Sequence, residues 1–328
     1  MSRVADEVIY LNLDRKMVTW SNSGTVEIIS DIIDNRKVDV VDCHMWRAMP
    51  IGVRAANRAA RRPKVVGVFH GVKERPNLQM KLLYFFVMRG MDKIVSVSEG
   101  GLDEICSAFW RVDTRKLVAI PNGLDFTHWV SAQPGDRAVL FGEQFVNKRV
   151  FITVSRLADK KNLERLITAF AKMHKCHPDS GLVIVGDGRT RGALEALVEQ
   201  LGLAESVVFL GYRQDIPVLL KTADVYAIPS LREGLPRSLV EAMALAKPVL
   251  ASHIHGHSEV VTDYQHGRLV DPLSVSDMTA ALTYFITLEE AALKRMGVAA
   301  SDHVLEHFNR EVMMEKYLQL FQGLVQPA

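Results

Sequence analysis

Cysteine is scarce in this chain. The three present, Cys43, Cys106 and Cys176, are odd in number, far apart and without metal-ligand spacing. That pattern excludes a disulfide framework and predicts free thiols in a reducing compartment. Long hydrophobic runs are lacking as well: Leu82–Met88 falls far short of the ~20 residues that span a bilayer. The opening Met1-Ser2-Arg3-Val4-Ala5-Asp6-Glu7 has no apolar h-region of a secretory signal. A cytoplasmic protein, peripheral at a membrane at most, is the expectation. No Gly-x-Gly-x-x-Gly occurs, which disfavours a dinucleotide enzyme. With a net charge of +2 the chain as a whole is neither strongly basic nor acidic, and no nucleic-acid partner is expected.

What is present is a chain of 328 residues, 48% hydrophobic and 24% charged, the composition of a soluble globular protein and long enough for two domains. Short apolar strands alternate with helical patterns throughout. In the first half the expected strands are Val8–Leu11, Val38–Val41, Val65–Phe69, Ile94–Val97 and Leu117–Ile120. Helices are expected over 26–33, 48–62, 78–89 and 99–109. Residues 124–148 are irregular and read as the inter-domain connection. A second alternation runs from Val150: strands over 150–154, 182–185, 207–210, 225–229, 248–250 and 268–270, with helices over 162–174, 191–201, 216–222 and 276–288. An amphipathic stretch, 311–324, closes the chain. Such alternation predicts doubly wound parallel sheets.

The most informative stretch is Glu233-Gly234-Leu235-Pro236-Arg237-Ser238-Leu239-Val240-Glu241, continued by Ala242-Met243-Ala244. It follows a strand and opens a helix. Ser238 and Glu241 fit a Ser-x-x-Glu capping box with Ser238 as N-cap, and the helix start favours a phosphate in the turn. This Glu-x7-Glu unit resembles the donor-site signature of retaining glycosyltransferases of family 4. The resemblance implies the GT-B fold: α/β, two doubly wound Rossmann-like domains facing across a cleft. It further implies that Glu233 holds hydroxyls of the donor sugar, that Glu241 holds the ribose, and that Gly234, Leu235, Pro236, Ser238 and Leu239 approach the sugar and the diphosphate.

Arg156 and Lys161 follow the strand 150–154 at the five-residue separation the family uses. They lie at a strand's carboxyl end, where open α/β sheets bind ligands, and an Arg and a Lys neutralise a leaving diphosphate without a metal. Lys160 is the neighbour to be distinguished from Lys161. Gly186 and Gly188 form a Gly-x-Gly that serves a tight turn or a donor contact. Tyr212 and Arg213 stand where the family places the nucleotide base. In the first half, His70 ends a strand and resembles the family's histidine near the sugar and the reacting centre. His44 ends the strand before it and is given no role; Asp42 stands where the family has another histidine. His253, His255 and His257 alternate as metal ligands on a strand do, yet their segment resembles the family's Gly-Gly-x-x-Glu with His255 in place of a Gly, and no metal is expected.

The family usually opens with a strand and a Gly-Gly loop. Here Gly24 stands alone, and the N-terminal domain reads as shortened. The resulting expectation is an N-terminal acceptor-side domain over 1–145, joined by the C-terminal helix 311–326, and a nucleotide-sugar-binding domain over 146–310. Its activity would be metal-independent, retaining transfer of a hexose from a nucleotide-diphosphate sugar, UDP ahead of GDP, to a hydroxyl of a cell-envelope polysaccharide or a lipid-linked acceptor. The alternative is a partner-dependent or non-catalytic nucleotide-sugar-binding protein. Between Arg47 and Lys93, eleven Lys or Arg face only Glu74 and Asp92, a local excess suited to an anionic membrane surface or an anionic acceptor.

Overall fold

The computed structural model describes residues 8–11, 22–71 and 76–326. The chain forms two compact units: Met1–Val97 with Gly101–Ala119 and Leu318–Ala328, and Ile120–Tyr317 with Ser98–Gly100.

The first unit is built on four parallel strands in the order β1 (Val40–His44), β2 (Lys64–Phe69), β3 (Lys93–Ser96) and β4 (Leu117–Ala119). β2 is apolar along its length and almost wholly buried, as expected of a parallel strand covered on both faces. The helix Ala48–Arg58 and the helix Ser23–Asn35 pack together through Val26, Ile33, Ile51, Ala55 and Ala59. A second cluster joins Met49, Val53 and Ala56 of the helix Ala48–Arg58 to Tyr84, Val87 and Met88 of the helix Leu78–Arg89, with Phe69, Met91, Ile105 and Phe109. Val8–Leu11, expected as a strand, is irregular, with Val8, Ile9 and Tyr10 exposed; it pairs with neither edge strand of the four-stranded sheet.

The second unit holds six parallel strands in the order β10-β9-β8-β5-β6-β7: β5 (Arg149–Val154), β6 (Ser180–Val185), β7 (Val207–Gly211), β8 (Val225–Ile228), β9 (Val249–Ser252) and β10 (Gly267–Val270). Alternation places Val150 and Ile152 in one hydrophobic cluster and Phe151 in the other, and the same split separates Val183 and Val185 from Leu182 and Ile184. The chain leaves β5 toward β6 and β7, then returns to pair β8 on the opposite side. That reversal is the topological switch point of a doubly wound sheet, outside whose carboxyl ends ligands bind.

The boundary between the units falls at Ile120, not at 145/146. The segment expected as a connection contains the helix Arg137–Phe141 and buries Leu124, Phe126, Phe141 and Phe145 in the second unit's core. Four large apolar residues in a loop-like stretch outweigh its Pro134-Gly135 punctuation. The closing helix Arg310–Val325 begins in the second unit, and its part from Leu318 belongs to the first. A helix absent from the expectations, Glu290–His307, buries Leu293, Met296, Gly297, Ala300 and Val304.

Candidate active site

Ser155-Arg156 follows β5 and Pro229-Ser230 follows β8, on the two sides of the switch point. Asn162 holds the two loops together. It adopts the left-handed conformation (φ 58°) that Asn tolerates better than most residues. Its buried amide nitrogen donates to the carbonyls of Pro229 (3.0 Å) and Pro272 (2.7 Å), and its Oδ1 accepts from Arg165. Leu231 adds a backbone bond to the carbonyl of Lys160 at 2.8 Å. Asn162 was missed at the sequence level; an Asn ending the Lys-Lys turn and opening a helix was the available signal.

This clamp sets Lys161 against Glu233. The ammonium lies 2.6 Å from Glu233 Oε1, and both side chains are only 13% exposed. Lys160 stays 3.7 Å away and 59% exposed. Geometry therefore separates two adjacent lysines that sequence spacing alone could only rank. Arg156 is exposed at the end of β5 and makes no hydrogen bond or ion pair among the described residues.

The glycines between these loops are required by close backbone approach. A Cβ on Gly186 would lie 1.9 Å from the carbonyl oxygen of Ser155, and one on Gly188 would lie 2.2 Å from that of Leu157. Both seat the Arg156 loop against the end of β6. Gly256 does the same for the signature turn, since a Cβ there would fall 1.4 Å from the Gly234 oxygen.

After the turn, Leu235 packs on the core, and Pro236 occupies the N-cap of the helix Arg237–Ala244 with no side-chain cap bond. Ser238 therefore lies inside the first turn and forms no capping box with Glu241. Pro236, with φ near −76°, starts the helix two residues early. The Ser238 hydroxyl instead bonds the buried hydroxyl of Tyr226, which burial and the nearby Glu241 and Glu233 hold neutral far above its ordinary range. Leu239 is fully buried. Glu241 is mostly buried, and desolvation raises its pKa against the pull of Arg237, whose Nε is 3.9 Å away.

The three histidines share no strand face. His255 and His257 fall in the short helix His255–Ser258, after His253, and no cluster able to hold a metal occurs among the described residues. His257 is fully buried, its Nδ1 3.2 Å from the Ser252 carbonyl, so Nδ1–H donates. Burial pushes its pKa down to about 4, with Glu233 and Lys161 the charged groups acting on it. At the end of β7, Tyr212 is 77% exposed. Arg213 is bound to the Asp215 carboxylate at 2.8 and 2.5 Å, a partner that lowers the Asp215 pKa.

In the first unit His70 follows β2, exposed, with its Nε2 3.1 Å from His44 Nδ1. His44, given no role from sequence, is thus the immediate neighbour of the expected histidine.

Residues 141–302 match the family model for glycosyl transferases group 1, and residues 6–128 that for glycosyltransferase family 4. The chain is 28% identical over 304 residues to the UDP-Gal:alpha-D-GlcNAc-diphosphoundecaprenol alpha-1,3-galactosyltransferase of Escherichia coli, covering 90% of this chain and 78% of that one. It is 27% identical over 337 residues to the GDP-mannose-dependent monoacylated alpha-(1-6)-phosphatidylinositol monomannoside mannosyltransferase of Corynebacterium glutamicum, covering 95% and 85%. Among solved structures, Anabaena HepE in complex with UDP superposes with a TM-score of 0.81 at 22% identity, over 91% of this chain and 82% of that one. The glycosyltransferase of Rickettsia africae gives 0.79 at 22% identity, over 98% and 85%. With matching family models in both halves and two parallel-sheet α/β units, the chain belongs to the family-4-like glycosyltransferases of the GT-B fold.

Proposed function

We propose that the protein is a retaining hexosyltransferase that draws on a UDP-sugar and acts, without a metal, on a hydroxyl of an envelope glycan or a lipid-linked acceptor. The observation that carries this reading is the Lys161–Glu233 pair at the switch point of the second sheet. Lys161 and Glu233 form a close ion pair, and the ammonium's N–H donors are there for an oxygen of the leaving diphosphate. Arg156, exposed beside it, offers a fork that fits phosphate. Together they neutralise charge as it develops on the leaving group, the task a divalent ion performs elsewhere.

Glu233, tied to Lys161, suits a carboxylate that accepts hydrogen bonds from sugar hydroxyls better than one that attacks carbon. For a retaining transfer, a carboxylate in that role leaves front-side departure and attack, with no glycosyl-enzyme intermediate, as the course of the reaction. Glu241 receives the ribose hydroxyls, with the Gly234–Leu239 amides about the diphosphate and Tyr212 beside the base. His70 meets a hydroxyl of the donor sugar. A UDP donor is supported by the Escherichia coli relative, which uses UDP-Gal, and by the UDP bound to HepE; the Corynebacterium relative uses GDP-mannose. Both relatives act on lipid-linked acceptors by name.

A membrane surface suits such an acceptor. Leu78, Leu82 and Phe86 lie at successive i+4 positions and are 69%, 53% and 61% exposed, while Tyr84, Val87 and Met88 of the same helix are core. The Leu82–Met88 run is thus divided between core and surface. Lys81 and Arg89 flank the stripe, over the rings of Trp110 and Phe85. Of the basic cluster, Arg58, Arg61 and Lys64 pair with Glu27, Asp39 and Asp92, and Lys73 and Arg75 lie outside the described residues. No helix among the described residues is long and apolar enough to cross a membrane.

The test is transfer from radiolabelled UDP-sugars to lipid-linked acceptors, with and without EDTA, by the protein and its Glu233→Gln variant. Turnover unaffected by EDTA and abolished by the substitution, with nucleotide binding retained, is the expected result. Full activity of Glu233→Gln would sink the site assignment, and nucleotide binding without transfer by the unaltered protein would favour a binding role.

A further inference from the structure

Three side chains at the carboxyl ends of β1 and β2 form a hydrogen-bonded line. The Asp42 carboxylate lies 3.0 Å from His44 Nε2, and His44 Nδ1 lies 3.1 Å from His70 Nε2. The two rings are tilted by 34° with centroids 5.3 Å apart. Alternation along β1 puts Asp42 and His44 on one face, with Cys43 buried on the other. β2 pairs with β1 in register, Val68 beside His44, which brings the residue that follows β2 next to that face.

We infer that Asp42 and His44 are positioning residues that decide which nitrogen of His70 carries its proton, so that one proton on the pair reverses the hydrogen-bonding sense His70 offers a substrate. A carboxylate accepts only, so His44 Nε2–H donates to Asp42 in both states. When the histidine pair is neutral, His44 Nδ1 bears a lone pair and must accept from His70 Nε2–H; the outer Nδ1 of His70 is then bare and accepts. When the pair takes up one proton, it binds at His70 Nδ1, and the Nε2 proton crosses the 3.1 Å bond to His44 Nδ1. The imidazolium charge rests on His44 against Asp42, and His70 presents Nδ1–H as a donor. Removal of the proton runs the same steps backwards. Only the naming of a sugar hydroxyl as the group met by Nδ1 rests on the function proposed above.

The electrostatics place the charge on the same ring. The bond from Asp42 raises the His44 pKa, against a smaller opposing effect of desolvation. Desolvation lowers that of His70, and His44 lowers it further while Asp42 acts the other way. On the buried face of β1 the Cys43 thiol is pushed up to about 12, mainly by burial, and stays neutral. Among the described residues Asp42 acts on both histidines and, less than burial does, on the Cys43 thiol, and His44 acts on His70.

Histidine-selective 15N labelling and long-range proton–nitrogen correlation spectra read each ring's tautomer in the unligated protein, with His70→Gln and His44→Gln assigning the signals. Across a pH titration, His70 is expected to pass from Nε2–H to Nδ1–H as pH falls, at the midpoint where His44 becomes doubly protonated. Asp42→Asn should move that common midpoint to lower pH, because the charge that stabilises the imidazolium is gone. His44→Phe should abolish the reversal and leave His70 titrating alone. A single His70 tautomer throughout, or a midpoint unmoved by Asp42→Asn, would overturn the inference. Because the spectra need no donor or acceptor, inactivity in the transfer assay overturns the proposed function alone, and an unchanged tautomer overturns this inference alone.

Discussion

Lys161→Ala is the sharpest perturbation of the site. The substitution removes an ammonium 2.6 Å from Glu233 and leaves that carboxylate, 13% exposed, with Lys160 at 3.7 Å. Removing one partner of a fully buried pair costs about 3–5 kcal/mol. Here Lys160 remains and some solvent reaches the acid, so the expected loss of stability is about 1–2 kcal/mol. Loss of a donor aimed at developing charge costs about 2.7–4 kcal/mol of transition-state stabilisation, or 10²–10³ in kcat. In free energy the rate effect should therefore exceed the stability effect by about twofold, which a general loosening of the loop would not produce. Lys160→Ala is the control: at 59% exposure it should cost about 0–1 kcal/mol and leave the rate within a few fold. The assays are single-turnover transfer with saturating donor and thermal unfolding followed by circular dichroism. A Lys161→Ala rate within about threefold of the unaltered protein, or an equal loss from Lys160→Ala, would refute the assignment of the leaving-group charge to Lys161.

Three other outcomes are expected. Burial raises the folded-state pKa of Glu241 above 4.5, so its ionisation opposes folding: the penalty is absent below the unfolded value and grows as pH rises through the folded one. Glu241→Gln should remove that part of the pH dependence in urea titrations while weakening nucleotide binding by calorimetry; a pH profile identical to that of the unaltered protein would contradict it. Gly256→Ala places a methyl 1.4 Å from the Gly234 oxygen, and should displace the signature turn at a cost of about 1–3 kcal/mol, with donor affinity falling more than stability; unaltered affinity would show that the turn tolerates the shift. Sedimentation with anionic and neutral vesicles should show salt-sensitive binding to the former, weakened by Leu82→Asp with Phe86→Asp, each charge near the surface being worth about 1 kcal/mol. Equal partitioning to both lipids, or none to either, would remove the membrane from the proposal.

Local pattern determined much of this protein. Runs such as Val65–Phe69 and Leu182–Val185 are apolar at every position because a parallel strand is covered on both faces, and the strands β2 and β6 contain them. The helix Leu78–Arg89 and the helix Ile216–Thr222 occupy the spans their spacing predicts. The strand–turn–helix around Glu233, with its charges, was equally legible, since the order of Glu, Gly, Pro and apolar residues is a property of a few consecutive positions.

Tertiary structure decided the rest, where the outcome depends on residues distant in the chain. Phe141 and Phe145 read as a connection and became core, because the second sheet offered an apolar face to bury them. The helix Glu290–His307 is concealed by small residues at its buried positions: Gly297 sits so near the Ala246 carbonyl that a Cβ would lie 2.1 Å from it. Ser238 looked like a cap and is a partner of Tyr226, because Pro236 starts the helix earlier. The histidines at 253, 255 and 257 alternate in sequence, but a helical turn disperses them. Lys161 differs from Lys160, and His44 acquires a neighbour, only once β5 meets β8 and β1 meets β2. Sequence spacing fixes which residues are near one another along a strand or a helix; strand order fixes which ends of different strands meet, and the chemistry of this protein sits at those ends.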